Sequence, residues 1–181
     1  MKIFAALRQA GLGWIALIRN DVDWARHFAL SLPGLVTALA LFAFFALLSV
    51  ALASAELGLP PLSGLLIALL VQSLSILALA IGILVTRRMV PGQGAFLALF
   101  VPGVYALIAY LIAGTILSLI AGPVLILLWA GLAFLLFCLA RRAGGYSIGV
   151  SAAFAALTMV LLVGMPVTLY MLFGPVAAPT P

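Results

Sequence analysis

Residues 95–140 read AFLALFVPGVYALIAYLIAGTILSLIAGPVLILLWAGLAFLLFCLA, with no charged side chain along the whole stretch. Basic pairs bound it on both sides, Arg87 and Arg88 before it and Arg141 and Arg142 after it. One helical crossing of a bilayer core takes about 20 apolar residues, so the stretch is too long for one span and long enough for two. It therefore predicts a hairpin of two membrane-spanning helices.

The turn of this hairpin is expected at Ala121, Gly122 and Pro123. Glycine ends a helix at little conformational cost, and proline fits the first turn of the next helix. The only cysteine, Cys138, lies within the second half of the hairpin. A single cysteine cannot form an internal disulfide, so we interpret it as a small packing residue.

The composition of this chain of 181 residues is that of an integral membrane protein. It is 68% hydrophobic and 6% charged, with a mean hydropathy of +1.46, whereas a soluble domain carries about 25% charged residues. Its net charge of +5 would also suit a nucleic-acid-binding protein. The basic residues lie in the N-terminal stretch and beside the predicted spans, however, which is where membrane proteins place them. We therefore expect one all-α membrane domain and no nucleic-acid partner.

The distribution of apolar runs, prolines and glycines predicts five membrane spans in all. An N-terminal segment, residues 1–27, precedes them, and a short tail, residues 174–181, follows. The spans are expected at about residues 28–53, 65–86, 95–120, 123–140 and 148–173.

The positions of the basic residues predict the orientation of these spans. Cytoplasmic loops of membrane proteins carry an excess of lysine and arginine. With five spans and a cytoplasmic N-terminus, every basic residue falls on the cytoplasmic side, and the C-terminal tail is periplasmic. The eight basic residues are Lys2, Arg8, Arg19, Arg26, Arg87, Arg88, Arg141 and Arg142.

The N-terminal segment, residues 1–27, has the pattern of an amphipathic helix lying in the membrane interface. Apolar side chains recur at helical spacing, and Arg8, Arg19 and Arg26 follow one flank of that face. Trp14 suits an interfacial anchor, and the arginines suit contact with anionic lipid phosphates. The alternative interpretation is a loose cytoplasmic arm that only carries positive charge.

Ionisable residues are absent from the middle of every predicted span. Ion-coupled transporters and most membrane enzymes need such residues at depth, so we identify no catalytic residue and expect no cofactor. His27 is the only histidine and lies at the entry to the first span, so the sequence predicts no metal site.

A few polar and small residues do lie within the spans. Gln72 and Ser75 form a polar patch in the second span, and Tyr105 and Tyr110 lie in the third. These four would either line a polar pathway or hydrogen-bond a neighbouring helix, and packing is the commoner role. Small residues spaced by four let helices approach closely, and the sequence predicts this role for Gly82 and Gly114.

The order of these features resembles the bacterial branch of the Yip-domain family, whose members are five-span membrane proteins with a cytoplasmic N-terminus. The similar pieces are the leader WIALIRND, residues 14–21, which runs on to Leu32 and Pro33, and PGQGAF, residues 91–96, which runs on to Pro102. The acidic motif that eukaryotic members carry before the first span is absent here. Eukaryotic members are associated with vesicle trafficking, and we do not expect that role for this chain.

Two functions follow from these observations. The first is a non-enzymatic protein of the bacterial inner membrane, similar to Yip-domain proteins, that organises lipids or partner proteins. Its partners would be membrane lipids, anionic ones in particular, together with a membrane-protein partner or further copies of itself. The alternative is a small transporter or permease subunit with a pathway near Gln72, Tyr105 and Tyr110.

Overall fold

The computed structural model describes residues 2–54, 61–90, 94–118 and 125–173, and every regular element within these ranges is a helix. The all-α prediction is therefore confirmed. The predicted turn at Ala121, Gly122 and Pro123 and the predicted tail, residues 174–181, lie outside the described residues. In chain order the elements are α1 (Lys2–Ile18), a 3₁₀ helix (Val22–His27), α2 (Leu32–Ala53), α3 (Leu62–Met89), α4 (Phe96–Ser118), α5 (Leu125–Arg142) and α6 (Ile148–Phe173).

Four of these helices are long and apolar enough to cross a membrane. The four segments, Leu32–Leu52, Leu62–Met89, Phe96–Leu117 and Ile148–Leu172, belong to α2, α3, α4 and α6. Such a set of helices is typical of a multi-pass membrane protein. The remaining long helix of the bundle, α5, has 18 residues and ends in an arginine pair.

The first helix of spanning length, α2, begins at Leu32. The sequence had predicted the start of the first span at about residue 28. The Ser31 side chain accepts a hydrogen bond from the Gly34 backbone N–H at 3.3 Å, which is the usual N-cap arrangement. Pro33 lies in the first turn, where its missing N–H costs nothing. Serine and proline together therefore set the start of α2 and leave Phe28 in an extended segment.

The central helix of the bundle is α4, which contacts α1, α2, α3 and α5. A Cβ atom placed on Gly94 would meet the backbone of Ala143, and one placed on Gly114 would lie 3.4 Å from Leu128 Cδ2. The start of α4 thus lies beside the end of α5, and the end of α4 beside the start of α5. The two helices run antiparallel along most of their length.

The helices α3 and α6 form a second antiparallel pair. Gly82 of α3 lies against Thr158 and Phe154 of α6. Gln72, ten residues earlier in α3, lines the same cavity as Pro166, which comes later in α6. The chain directions of α3 and α6 are therefore opposite, and Gly82 is buried at their contact.

Candidate functional site

The helix α1 is docked on the bundle by one of its faces. Leu17 is fully buried, and Trp14 is only 8% exposed. The Trp14 ring meets the Phe28 ring edge to face, with centroids 6.4 Å apart, and Phe28 in turn lies 6.0 Å from the Tyr105 ring of α4. The structure thus places Trp14 in the core that joins α1 to the bundle.

A fixed turn ends α1 within the predicted N-terminal segment. Asn20 adopts a left-handed conformation with φ of 64°. The Asp21 N–H donates to the Ala16 carbonyl at 2.9 Å, and the Asn20 N–H donates to the Leu17 carbonyl at 3.3 Å, which is a Schellman motif. Asp21 then caps the 3₁₀ helix, because its Oδ1 atom accepts from the Asp23 N–H at 3.1 Å. Residues 2–27 therefore form two helices joined by a defined bend.

The face of α1 that points away from the bundle combines apolar and basic side chains. Phe4 is 80% exposed and Ile15 is 48% exposed. Arg8 and Arg19 are exposed as well, and they fall on the same side because positions 4, 8, 15 and 19 are separated by one or two helical turns. This outer face has the composition of a membrane-surface helix.

Both arginine pairs lie at the same end of the bundle as α1. Arg87 and Arg88 occupy the last turn of α3, and Arg141 and Arg142 occupy the last turn of α5. Because α5 runs antiparallel to α4, its end lies beside the start of α4. The Phe28 contact with Tyr105, in the first half of α4, brings the N-terminal segment to that same end.

Tyr146 lies near basic residues from the ends of α3 and α5. The Arg141 Nη1 atom donates to the Tyr146 carbonyl at 2.7 Å. The Tyr146 side chain is buried between α5 and α6, and this burial raises the pKa of its phenol, while the positive charge of Arg87 lowers that pKa in part. Gly145 makes the connecting turn with φ of 66°. Tyr146 thus lies within reach of positive charge from the ends of both α3 and α5.

The polar residues predicted within the spans lie around two separate cavities. Gln72, Ser75 and Tyr110 line a cavity of about 250 Å³, whose walls come from all five helices of the bundle, α2 to α6. The Tyr110 ring meets the Trp129 ring at 5.5 Å in a T-shaped contact. No described side chain hydrogen-bonds the Gln72 amide. We call this the Gln72 cavity.

Tyr105 does not belong to the Gln72 cavity. It lines a second cavity of about 340 Å³ at the basic end of the bundle, which we call the Arg26 cavity. On α4, the buried residues Ala106, Leu107 and Ile108 come between Tyr105 and Tyr110. The structure thus groups Gln72, Ser75 and Tyr110 and leaves Tyr105 apart from them.

The Arg26 cavity contains residues that sequence reasoning did not connect. Its polar side chains come from α1, the 3₁₀ helix, α2 and α4, so no local spacing relates them. The sequence singled out Arg26, His27 and Tyr105, each for a different reason, and gave no reason to consider Gln9 or Thr37. The five polar side chains of this cavity are those of Gln9, Arg26, His27, Thr37 and Tyr105.

Within the described ranges, histidine, cysteine, aspartate and glutamate nowhere form a group of three that could hold a metal ion. Comparison of this chain with the models of known protein families, with curated proteins and with solved structures finds no match.

Proposed function

We propose that this chain is a non-enzymatic, five-span protein of the bacterial inner membrane, of the Yip-domain type, that organises anionic lipids or partner proteins at its cytoplasmic face. The single observation that carries this proposal is the collection of seven arginines at one end of the helical bundle, beside a docked helix with an apolar and basic outer face. The seven are Arg8, Arg19, Arg26, Arg87, Arg88, Arg141 and Arg142.

The fifth span of this proposal is α5. Its 18 residues extend about 27 Å at 1.5 Å per residue, close to the thickness of about 30 Å of a hydrocarbon core. It runs beside α4 along most of that helix, and α4 is long enough to cross. A crossing α5 also places Arg141 and Arg142 on the same side as Arg87 and Arg88. The positive-inside rule makes that side the cytoplasm.

The proposed action of this basic end on lipids is electrostatic and interfacial. Phe4 and Ile15 of α1 would insert at the boundary between headgroups and acyl chains, while Arg8 and Arg19 would contact phosphates. Each basic residue near an anionic leaflet gains about 1 kcal/mol. Several such residues on one small bundle would enrich anionic lipid around the protein, and a shared lipid shell is one way to gather partner proteins.

Lipid clustering in reconstituted vesicles tests this function. The full chain is placed in vesicles that contain a small fraction of phosphatidylglycerol with a self-quenching dye. We expect the protein to lower the fluorescence, and high salt to restore it, because the Debye length falls to about 3 Å at 1 M. The double variant Arg8→Gln/Arg19→Gln should lose part of the effect, and the charge-conserving Arg8→Lys/Arg19→Lys should keep it. Unchanged fluorescence with the wild-type chain would refute the organisation of anionic lipids.

A second function, a small transporter or permease subunit, is favoured by the Gln72 cavity, since all five bundle helices contribute to it and the Gln72 amide has no partner among the described residues. The buried residues between Tyr105 and Tyr110 count against a continuous pathway. A cysteine at position 72, in a Cys138→Ala background, distinguishes the two functions. Reaction with membrane-impermeant thiol reagents added to either side would support transport, and reaction from neither side would exclude it.

A further inference from the structure

The Arg26 cavity gathers hydrogen-bond donors at the basic end of the bundle. Gln9 contributes an amide, Arg26 a guanidinium, His27 an imidazole and Tyr105 a hydroxyl. No carboxylate is among the residues that line it. A cavity so rich in donors and free of acidic groups on its walls suits an anionic ligand that has several oxygen acceptors.

Arg26 retains donors for such a ligand. Its Nε atom lies 3.1 Å from Asp23 Oδ1, and the Arg26 side chain is 80% exposed in this pair. Exposed ion pairs of this kind contribute little to stability. Within the described part of the chain nothing else binds the guanidinium, so its two terminal nitrogens can form the bidentate contact that arginine makes with phosphate.

Thr37 and Tyr105 are two further polar side chains of the cavity wall. The Thr37 hydroxyl donates to the Pro33 carbonyl at 2.9 Å, so toward a ligand it acts only as an acceptor, which suits a glycerol hydroxyl and not a phosphate oxygen. The Tyr105 hydroxyl has no partner among the described residues and can donate. On the same turns of α2, Leu32 and Val36 are 69% and 66% exposed. A headgroup in the cavity would therefore have an apolar helix surface beside it for its acyl chains.

The volume of the cavity is compatible with this kind of ligand. At about 340 Å³ it falls at the lower end of the range of about 300–1,000 Å³ that is usual for small-molecule sites. A phosphate with its attached glycerol is a ligand of suitable size, and a whole lipid is not. The acyl chains would have to lie outside.

The geometry points to a binding site for one phosphate ester in the Arg26 cavity, held by Arg26 and Tyr105 with support from Gln9, His27 and Thr37. The site rests on the proposed function, since it names the part of an anionic lipid that the basic end would select. The same chemistry fits the headgroup of a membrane lipid or a soluble phosphate ester. Both sources are therefore compared in the test.

Binding of phosphatidylglycerol to the full chain in non-ionic detergent, followed by native mass spectrometry, tests the site. We expect Arg26→Gln/Tyr105→Phe to weaken binding at least about tenfold, because a bidentate charged contact and a hydrogen bond are lost. The matched control is Tyr170→Phe, which removes the same hydroxyl as Tyr105→Phe from an exposed position outside the cavity. This control should bind within about twofold of the wild-type chain.

Two further measurements separate the possible outcomes. Gln9→Ala changes an exposed residue of the cavity wall and should also weaken binding, which covers the case in which the double variant fails to fold. Glycerol 3-phosphate is then added as a competitor. Displacement of the lipid would assign the site to phosphate esters in general, and no displacement would assign it to the lipid headgroup.

The inference is overturned if both cavity variants bind phosphatidylglycerol as the wild-type chain does, or if the matched control loses as much as the double variant. Its failure is distinct from failure of the proposed function. The clustering assay uses all seven arginines, so a chain that lacks this one site would still cluster anionic lipid through the other six.

Discussion

Thr158 of α6 packs directly on the backbone of Gly82 of α3, and its hydroxyl is buried without a hydrogen-bond partner among the described residues. A Cβ atom on Gly82 would overlap the Thr158 Oγ1 atom. The two helices approach at this point with no side chain of α3 between them. Small residues commonly permit such close contacts between helices in membranes.

The Gly82→Ala substitution should therefore destabilise the bundle. Alanine in place of glycine favours a helix by about 1 kcal/mol, but overpacking typically costs about 1–3 kcal/mol. Gly164→Ala is the control, because a Cβ there meets nothing within 4 Å. In detergent, thermal unfolding should shift down for Gly82→Ala and remain or shift up for Gly164→Ala. Equal shifts for both variants would disprove the close contact.

The Thr158→Val substitution should leave the stability unchanged or raise it. The Thr158 hydroxyl is fully buried and has no hydrogen-bond partner within the described ranges, and an unsatisfied buried polar group costs about 1–3 kcal/mol. Valine has nearly the same shape without that group. The measurement is again thermal unfolding in detergent. A fall as large as that of Gly82→Ala would mean that the hydroxyl has a partner in the membrane.

Trp14→Ala should release α1 from the bundle while the spans stay folded. Truncating a buried aromatic side chain costs about 3–5 kcal/mol, and Trp14 is the main aromatic contact of α1 with Phe28. Hydrogen exchange of the α1 amides should become fast in this variant. Leu12→Ala, at a side chain 45% exposed, is the control and should leave exchange slow. Slow exchange in both variants would show that Leu17 and the backbone hold α1 alone.

The orientation of the chain can be read with reporter fusions. A reporter after Pro181 should report a periplasmic location, and reporters after Gly92 or Gly144 should report a cytoplasmic one, because basic residues favour the cytoplasmic side. Fusions that report the same compartment at Gly92 and Pro181 would exclude five spans.

Tyr146 should titrate above the ordinary value for tyrosine of about 10. Burial raises the pKa of Tyr146, and Arg87 offsets part of that rise. The folded chain thus holds this proton more tightly than the unfolded chain. Its contribution to stability is complete below about pH 10 and is lost as the pH rises through the folded pKa. Arg87→Gln should raise the pKa further, measured as tyrosinate absorbance against a Tyr146→Phe reference. An unchanged pKa would place Arg87 away from the ring.

The helices of the bundle could be predicted well because apolar length alone indicates a spanning helix. The prediction of the last of them, residues 148–173, matches α6 at both ends. The start of α2 differed, because the apolar residue Phe28 looks like part of a span while Ser31 and Pro33 set the first turn. The length of an apolar run predicts that a spanning helix is present, and the capping residues decide where that helix begins.

The Arg26 cavity could not be predicted in the same way. Its residues come from four elements, and the bend at Asn20 decides that the 3₁₀ helix reaches α2 and α4. A helical wheel drawn through residues 1–27 assumes one straight helix, so it places Arg26 on the same flank as Arg8 and Arg19. Asp21 departs from that amphipathic pattern, and Asn20 before it is a residue type that tolerates the left-handed conformation of the bend.

The contact of Gly82 with Thr158 also has a consequence for biogenesis. The partner of α3 at this point is α6, which follows α3, α4 and α5 in the chain, so it leaves the ribosome last of these four. Until then the surface of α3 at Gly82 lacks the α6 side chains that cover it in the folded chain. A nascent chain arrested before α6 would expose the α3 surface at Gly82 to lipid or to the insertion machinery. Insertion of α6 is therefore the step that completes the packing of α3.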